Sequence, residues 1–154
     1  MRLKLPSLHK LKRMSVNSIC RVEAPGIGQP PGATWSNCLV LGPEVAVSGI
    51  TAHPAVLPNG TTLSTYEQAM RIFGKLEAQL QAAGGSRANI YKLVVYVTDI
   101  ADKTVVNQAR AEFFAGLQYP CSTLIGIQQL VFPGLTIEVD AFARLDYQLQ
   151  SEPR

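Results

Sequence analysis

The clearest periodicity lies between Leu135 and Leu145, where apolar and polar positions alternate. Leu135, Ile137, Val139 and Ala141 share one face; Thr136, Glu138, Asp140 and Phe142 share the other. Such alternation marks a strand with one buried face. Carboxylates two apart on a strand point the same way, so Glu138 and Asp140 stand together, turned from the aliphatic core. The plain alternative is a pair of solvated residues. A second β-run, about Ser122 to Leu130, precedes this strand across a break at Phe132-Pro133-Gly134.

The period changes upstream. Ser64-Thr65-Tyr66-Glu67 is a capping box. After it Ala69, Phe73, Leu76, Leu80 and Ala83 recur at helical spacing as far as Gly84-Gly85, one apolar stripe with a glycine stop. Gln68, Arg71, Lys75, Glu77 and Gln79 lie off that stripe and read as solvated. Ile90 to Thr98 is almost continuously apolar, the mark of a central strand covered on both sides. Asp99 or Asp102 then caps a second helix, about Lys103 to Leu117, with Val106, Ala109, Phe113 and Leu117 as its stripe.

The N-terminal half reads as strands. Ser15 to Ala24 is a first strand. Trp35–Gly42 and Glu44–Ile50 form a hairpin about Gly42-Pro43. Gly49 permits a bulge or a close approach to the backbone. The loop from Pro25 to Gly32 has turn chemistry, but no Gly-Lys-Ser/Thr follows and two prolines remove donors, which argues against a phosphate cradle.

The order β-β-β-α-β-α-β-β predicts an α+β domain, a mixed sheet with two helices on one face. Val94 or Val95 and Tyr96 fall on the opposite face. The chain has no third layer to cover it, so a homo-oligomer is expected to bury it. The expected domain spans residues 15–147, between a basic, disordered N-terminal extension (1–14) and a C-terminal tail (148–154).

Composition narrows the function. With 47% hydrophobic and 16% charged residues, the chain is globular and not disordered. The net charge of +3 is misleading, because Arg2, Lys4, Lys10, Lys12 and Arg13 all lie in the first 13 positions. Without them the body is slightly acidic and offers no footprint for nucleic acid. No apolar run is long enough to span a bilayer. Cys20, Cys38 and Cys121 have no framework spacing and read as reduced thiols of a cytoplasmic protein. His53 is the sole histidine outside the basic head and has no partner at ligand spacing, so no metal site is expected. Nor is a Ser-His-acid set.

Several pieces, in this order and spacing, carry a family resemblance: Val47-Ser48-Gly49, Thr65-Tyr66-Glu67-Gln68, Leu80 to Gly84, Ile90 to Asp99, Val106-Asn107, Phe113-Phe114, Tyr119-Pro120 and Ile137-Glu138-Val139. Over about residues 15 to 145 the chain resembles the RidA, or YjgF-like, family of reactive-intermediate deaminases, once called L-PSP endoribonucleases. The resemblance implies a chorismate-mutase-like fold and a homotrimer with clefts between subunits. It also implies cofactor-free hydrolysis of enamines and imines, such as 2-aminoacrylate and 2-iminopropanoate, to keto acids and ammonia. In such a mechanism an arginine clamps the substrate carboxylate bidentately, and a strand glutamate positions or activates water.

Carried onto this chain, the resemblance makes Glu138 the catalytic glutamate. Trp35, Ser48, Gly49, Asn107, Cys121 and Ser122 become substrate-binding residues, with Trp35 in the place of a loop tyrosine. The family pattern Tyr-Pro-x-Arg-Ser/Thr is broken, because Tyr119-Pro120-Cys121-Ser122-Thr123 puts Ser122 where the arginine belongs. Losing such a desolvated charged pair costs on the order of 2–5 kcal/mol. Arg144 lies six residues beyond Glu138 on the same strand, about 20 Å away, too far to replace it. The chain therefore resembles an arginine-lacking branch acting on enamines or imines other than the usual imino acids, 2-aminomuconate deaminase being a related case. The alternative is a non-catalytic small-molecule-binding or chaperone-like trimer. A ribonuclease is disfavoured by the acidic body and the lack of a histidine pair. Cys121 is either a cleft nucleophile or redox sensor, or a small buried apolar residue at a strand start; no histidine or lysine is evident to activate it.

Overall fold

A computed structural model describes residues 18–152. The basic segment, and the first part of the strand expected from Ser15, lie outside the described residues. Six strands form one sheet: β1 (Cys20–Arg21), β2 (Cys38–Leu41), β3 (Glu44–Thr51), β4 (Ile90–Val97), β5 (Cys121–Gly126) and β6 (Ile137–Arg144), in the order β1-β2-β3-β6-β4-β5. Helices α1 (Thr65–Ala82) and α2 (Lys103–Phe113) complete the α+β domain. All pairings are antiparallel except β4 with β5. The two β-runs of the C-terminal third are therefore not neighbours. β6 inserts between β3 and β4, and β5 lies at the edge.

The alternation in β6 is realised: Ile137, Val139, Ala141 and Ala143 are buried, while Glu138, Asp140 and Phe142 are half-exposed. The buried positions pair with Val45, Val47 and Ile50 of β3 and with Ile90, Leu93, Val95 and Val97 of β4. Together they form a floor on which Ile72, Phe73, Leu76 and Leu80 of α1 and Val106 and Ala109 of α2 pack. Phe73 stacks on Phe113 with ring centroids 4.7 Å apart, tying the two helices together. Phe114, off the predicted stripe, is fully buried and meets Phe113 edge-on.

The expectation that β4 is covered on both sides is not met within one chain. Val95 faces the helices, but Val94 and Tyr96 are half-exposed on the other face, and Ile125 of β5 is exposed beside them. The helices fill only one side of the sheet. A second correction concerns α1. The capping box forms as expected, with Ser64 accepting from the Glu67 amide, but Gln68 and Gln79 are fully buried. Gln68 donates to the carbonyls of Leu63 and Gly134 at 2.9 and 2.8 Å and accepts from the Thr136 amide at 3.0 Å. One side chain thus satisfies three backbone groups where the chain enters β6. Asp102 stands at the N-cap of α2 but makes no side-chain cap there; its carboxylate accepts from the Thr65 hydroxyl at 2.6 Å. Asp99 caps the short 3₁₀ turn before α2 through the Ala101 amide.

Helix α2 is shorter than predicted, and the chain from its end to β5 is held from outside. The Gln118 amide donates to Gln150, and the Glu152 amide to Gly116. Leu117 forms a bridge with Ser151. Leu149 packs on the core and donates its amide to Ala88.

The two buried glutamines should respond oppositely to leucine. Gln68→Leu strands three buried or part-buried backbone groups and should lower stability by about 3 kcal/mol. The amide atoms of Gln79 have no partner, so Gln79→Leu should raise stability by about 1 kcal/mol. Urea unfolding midpoints check both signs.

Candidate functional site

β3 and β6 fall out of step at one place. Val47 pairs with Ala141 and Ile50 with Val139, so Ser48 and Gly49 together face Asp140 alone. Two residues against one is a β-bulge. Gly49 has φ +68°, a left-handed conformation costing about 1–2 kcal/mol for any other residue. Asp140 holds the bulge: its Oδ1 accepts from the Ser48 hydroxyl at 2.9 Å and the Gly49 amide at 2.8 Å. Its Oδ2 accepts from the Tyr96 hydroxyl at 3.1 Å. Asp140 is thus an organising residue, and the Ser48 hydroxyl is committed to it.

Glu138 lies between Thr51 of β3 and Tyr96 of β4. Its carboxylate rests against the Gly49 backbone; a Cβ there would sit 3.8 Å from Oε1. Burial first, and the Asp140 charge second, hold the Glu138 carboxyl above its ordinary value. Burial, the Asp140 hydrogen bond and both carboxylate charges raise the Tyr96 phenol, which stays a donor at neutral pH.

Glu138 opens into a cavity of about 620 Å³ lined also by Trp35, Gly49, His53, Lys75 and Phe132 and by the Gly26–Pro30 loop. Gln29 fastens that loop: its amide nitrogen donates to the Trp35 carbonyl at 2.6 Å, and its oxygen accepts from the Asn37 amide at 3.0 Å. The exposed Trp35 ring is oriented by a bond from its Nε1 to Asn37. His53 stacks on Phe132 at 4.0 Å. Lys75, read from sequence as solvated, is half-buried and donates to the carbonyls of Thr51 and His53 at 2.8 and 3.3 Å. Burial, with repulsion from Arg71, lowers its pKa.

The remaining predicted site residues lie elsewhere. Asn107 and Ser122 line a separate cleft of about 470 Å³ with Arg110, Phe114, Tyr119 and Pro120. Partners in a ladder face the same side of a sheet. Ser122 pairs with Leu93, a helix-side residue, whereas Glu138 pairs with Tyr96 on the open side. One chain therefore sets Glu138 and Ser122 on opposite faces of its sheet. Cys121 starts β5 opposite Lys92 and is exposed, not buried as a small apolar strand residue would be. Arg144 bonds Glu44 and Asp146 and is remote from both cavities.

Sequence reading missed Arg110. Its Nη1 donates to Ser122 Oγ at 2.6 Å, and its Nη2 donates to Asn107 Oδ1. The signal was available: Arg110 lies three residues after Asn107, on the same helix face.

Comparison with known proteins agrees with this architecture. The profile of the family described as Endoribonuclease L-PSP matches residues 27–145. A solved protein of unknown function from Pseudomonas aeruginosa is 46% identical, over 88% of this chain and 99% of its own, with a TM-score of 0.83. A Mycobacterium tuberculosis member of the YjgF/YER057c/UK114 family is 26% identical over 82% of this chain and 99% of its own, with a TM-score of 0.66. A RutC family protein from Aquifex aeolicus is 32% identical over 65 residues, 42% of this chain and 52% of that protein. The chain thus matches about half the length of that curated relative. On the profile match and the fold together, the chain belongs to the Endoribonuclease L-PSP, or YjgF/RidA, family. Among the described residues no helix is long and apolar enough to cross a membrane, and no three His, Cys, Asp or Glu side chains cluster to hold a metal.

The coupling of the two carboxylates is open to direct test. Asp140→Asn removes the like charge but leaves Glu138 buried. The Glu138 pKa, followed by carboxyl NMR titration, should fall part of the way to its ordinary value. An unchanged value would mean that Asp140 does not act on it.

Proposed function

We propose that the protein is a cofactor-free hydrolytic deaminase of small enamines or imines, with Glu138 as its base. The observation that carries this reading is the Glu138 carboxyl, raised in pKa and set in an aromatic-edged cavity against a bare glycine backbone. Imine hydrolysis is redox-neutral. Water adds to the C=N carbon while Glu138 takes one of its protons and passes it to nitrogen, which gives the carbinolamine. Glu138 then carries the hydroxyl proton to nitrogen as the C–N bond breaks, and ammonia leaves a carbonyl product. A base with a raised pKa serves both steps better than an ordinary carboxylate does. Trp35 and Phe132 shield the reacting carbon from bulk water, and the bulge at Ser48-Gly49 holds the wall against which Glu138 stands.

The opposed placement of Glu138 and Ser122 supports a site shared between copies. We assign the functional unit as a homotrimer in which the open sheet face of one chain meets the Asn107–Ser122 cleft of the next. The half-exposed Val94, Tyr96 and Phe142 supply apolar surface for that contact. The expected unit is the domain of residues 15–147. The unpaired thiols of Cys20, Cys38 and Cys121 suit a reducing, cytoplasmic compartment. The family's ribonuclease description draws less support: the cavity offers one imidazole, and His53 is stacked on Phe132.

Ammonia release from 2-iminopropanoate and from uncharged imines tests the activity. Glu138→Gln should lower kcat/KM by about 10²–10⁴-fold. If no imine is turned over, or the variant matches the wild type, the deaminase reading fails. Binding without turnover would favour the ligand-binding trimer instead.

The pH dependence has a definite sign. The base must be ionised, so kcat/KM should rise with pH through a Glu138 pKa above the ordinary carboxylate value. A raised folded pKa means the native state binds more protons than the unfolded chain, so ionising Glu138 costs stability as pH rises. Glu138→Gln should therefore melt higher than wild type at neutral pH, and the gain should vanish in acid below the ordinary glutamate pKa. Sedimentation should find a species of three chain masses; full activity in a monomer would overturn the shared site.

A further inference from the structure

The cleft beside Ser122 holds a cation that is not on β5 but on α2. Arg110 projects from α2, half-buried, and burial lowers its pKa without removing its charge. A part-buried cation at a cleft attracts an anion, even where the C-terminal end of its helix favours it. Among the described residues no carboxylate lies within ion-pair distance of Arg110; the ion pairs present belong to Arg144. The partners of Arg110 are two neutral oxygens, Asn107 Oδ1 and Ser122 Oγ. These fix the guanidinium but leave its charge uncompensated. Two of its five N–H groups are engaged, and the others remain to donate. Because the Ser122 oxygen accepts from Arg110, its hydroxyl proton is free to donate as well. The cleft they face, about 470 Å³, is walled by Phe114, Tyr119 and Pro120.

We propose that Arg110, braced by Asn107 and Ser122, is the carboxylate-binding residue of this chain. The charge missing at position 122 is delivered from α2 instead of β5. Ser122 is its hydroxyl support and not an empty place. The site takes a compact oxyanion. Resting on the deaminase reading above, that oxyanion is the α-carboxylate of an imino acid, so acidic imines are not excluded as substrates.

Pyruvate, the keto acid formed from 2-iminopropanoate, probes the site without turnover. Calorimetric or NMR titration should show wild type binding pyruvate and Arg110→Ala binding it about 10–100-fold more weakly. Arg110→Lys should retain part of the affinity, since it keeps the charge but loses the fork. In turnover, Arg110→Ala should raise KM for 2-iminopropanoate by a larger factor than KM for an uncharged imine, with an unshifted melting temperature to guard against a folding defect; an equal rise for both substrates overturns the assignment. Equal pyruvate binding by wild type and Arg110→Ala overturns the assignment. So does tighter binding of inorganic phosphate than of pyruvate, which would make the cleft a phosphate site. Arg110-dependent pyruvate binding without any imine turnover would sink the deaminase reading and leave this one standing. Turnover indifferent to Arg110 would do the reverse.

Discussion

One carboxylate governs the open face of the sheet. Asp140 faces two residues of β3 where a regular ladder would present one, and it satisfies both through Ser48 and Gly49. Without that acceptor the exposed Ser48 hydroxyl and Gly49 amide would turn to water, and the left-handed turn at Gly49 would lose its anchor. The bulge clears the backbone beside Glu138. The same negative charge discourages Glu138 from ionising and draws in the Tyr96 hydroxyl. The pair of carboxylates thus divides its labour by environment: three donors satisfy one, while the other faces a cavity and, among the described residues, accepts no side-chain hydrogen bond.

The legible parts of the fold were those whose cause is local. The Ser64 capping box, the alternation of β6 and the Gly42-Pro43 hairpin each depend on residues a few positions apart, and each formed as read. Strand order was not legible, because nothing in the spacing of β5 and β6 states that β6 pairs with β3 and β4 instead. That choice is made by matching buried faces over long separations. Gln68 was misread for a related reason. Its polarity suggested solvent, but the strand entry at Leu135–Ile137 brings backbone groups that need a partner inside. At the candidate site, Glu138, Gly49 and Trp35, each named from the sequence, line one cavity. Their separation from Ser122 follows from sheet register, which periodicity cannot supply. Arg110 escaped because attention to a fixed motif position looks along β5, while the charge arrives from a helix packed above it.

Family membership and chemistry are therefore distinct layers in this chain. The fold is secured by apolar alternation and two helix stripes, which tolerate many substitutions. The chemistry depends on a few polar contacts between elements far apart in sequence. Ser122 on β5 is neutral, but Arg110 of α2 donates to its hydroxyl oxygen, so the cleft beside it holds a positive charge.

The last residues described add a mechanical consequence. The segment from Leu149 to Glu152 is sewn across the stretch between α2 and β5 by backbone bonds to Ala88, Gly116 and Gln118. That stretch leads directly into Tyr119 and Pro120 at the mouth of the Arg110 cleft. The carboxy-terminal strap therefore works as a splint, sparing a flexible connection the entropy it would otherwise lose on gripping a ligand. A tag or truncation at this end of the chain is not a neutral handle, because it reaches the cleft through four residues of backbone.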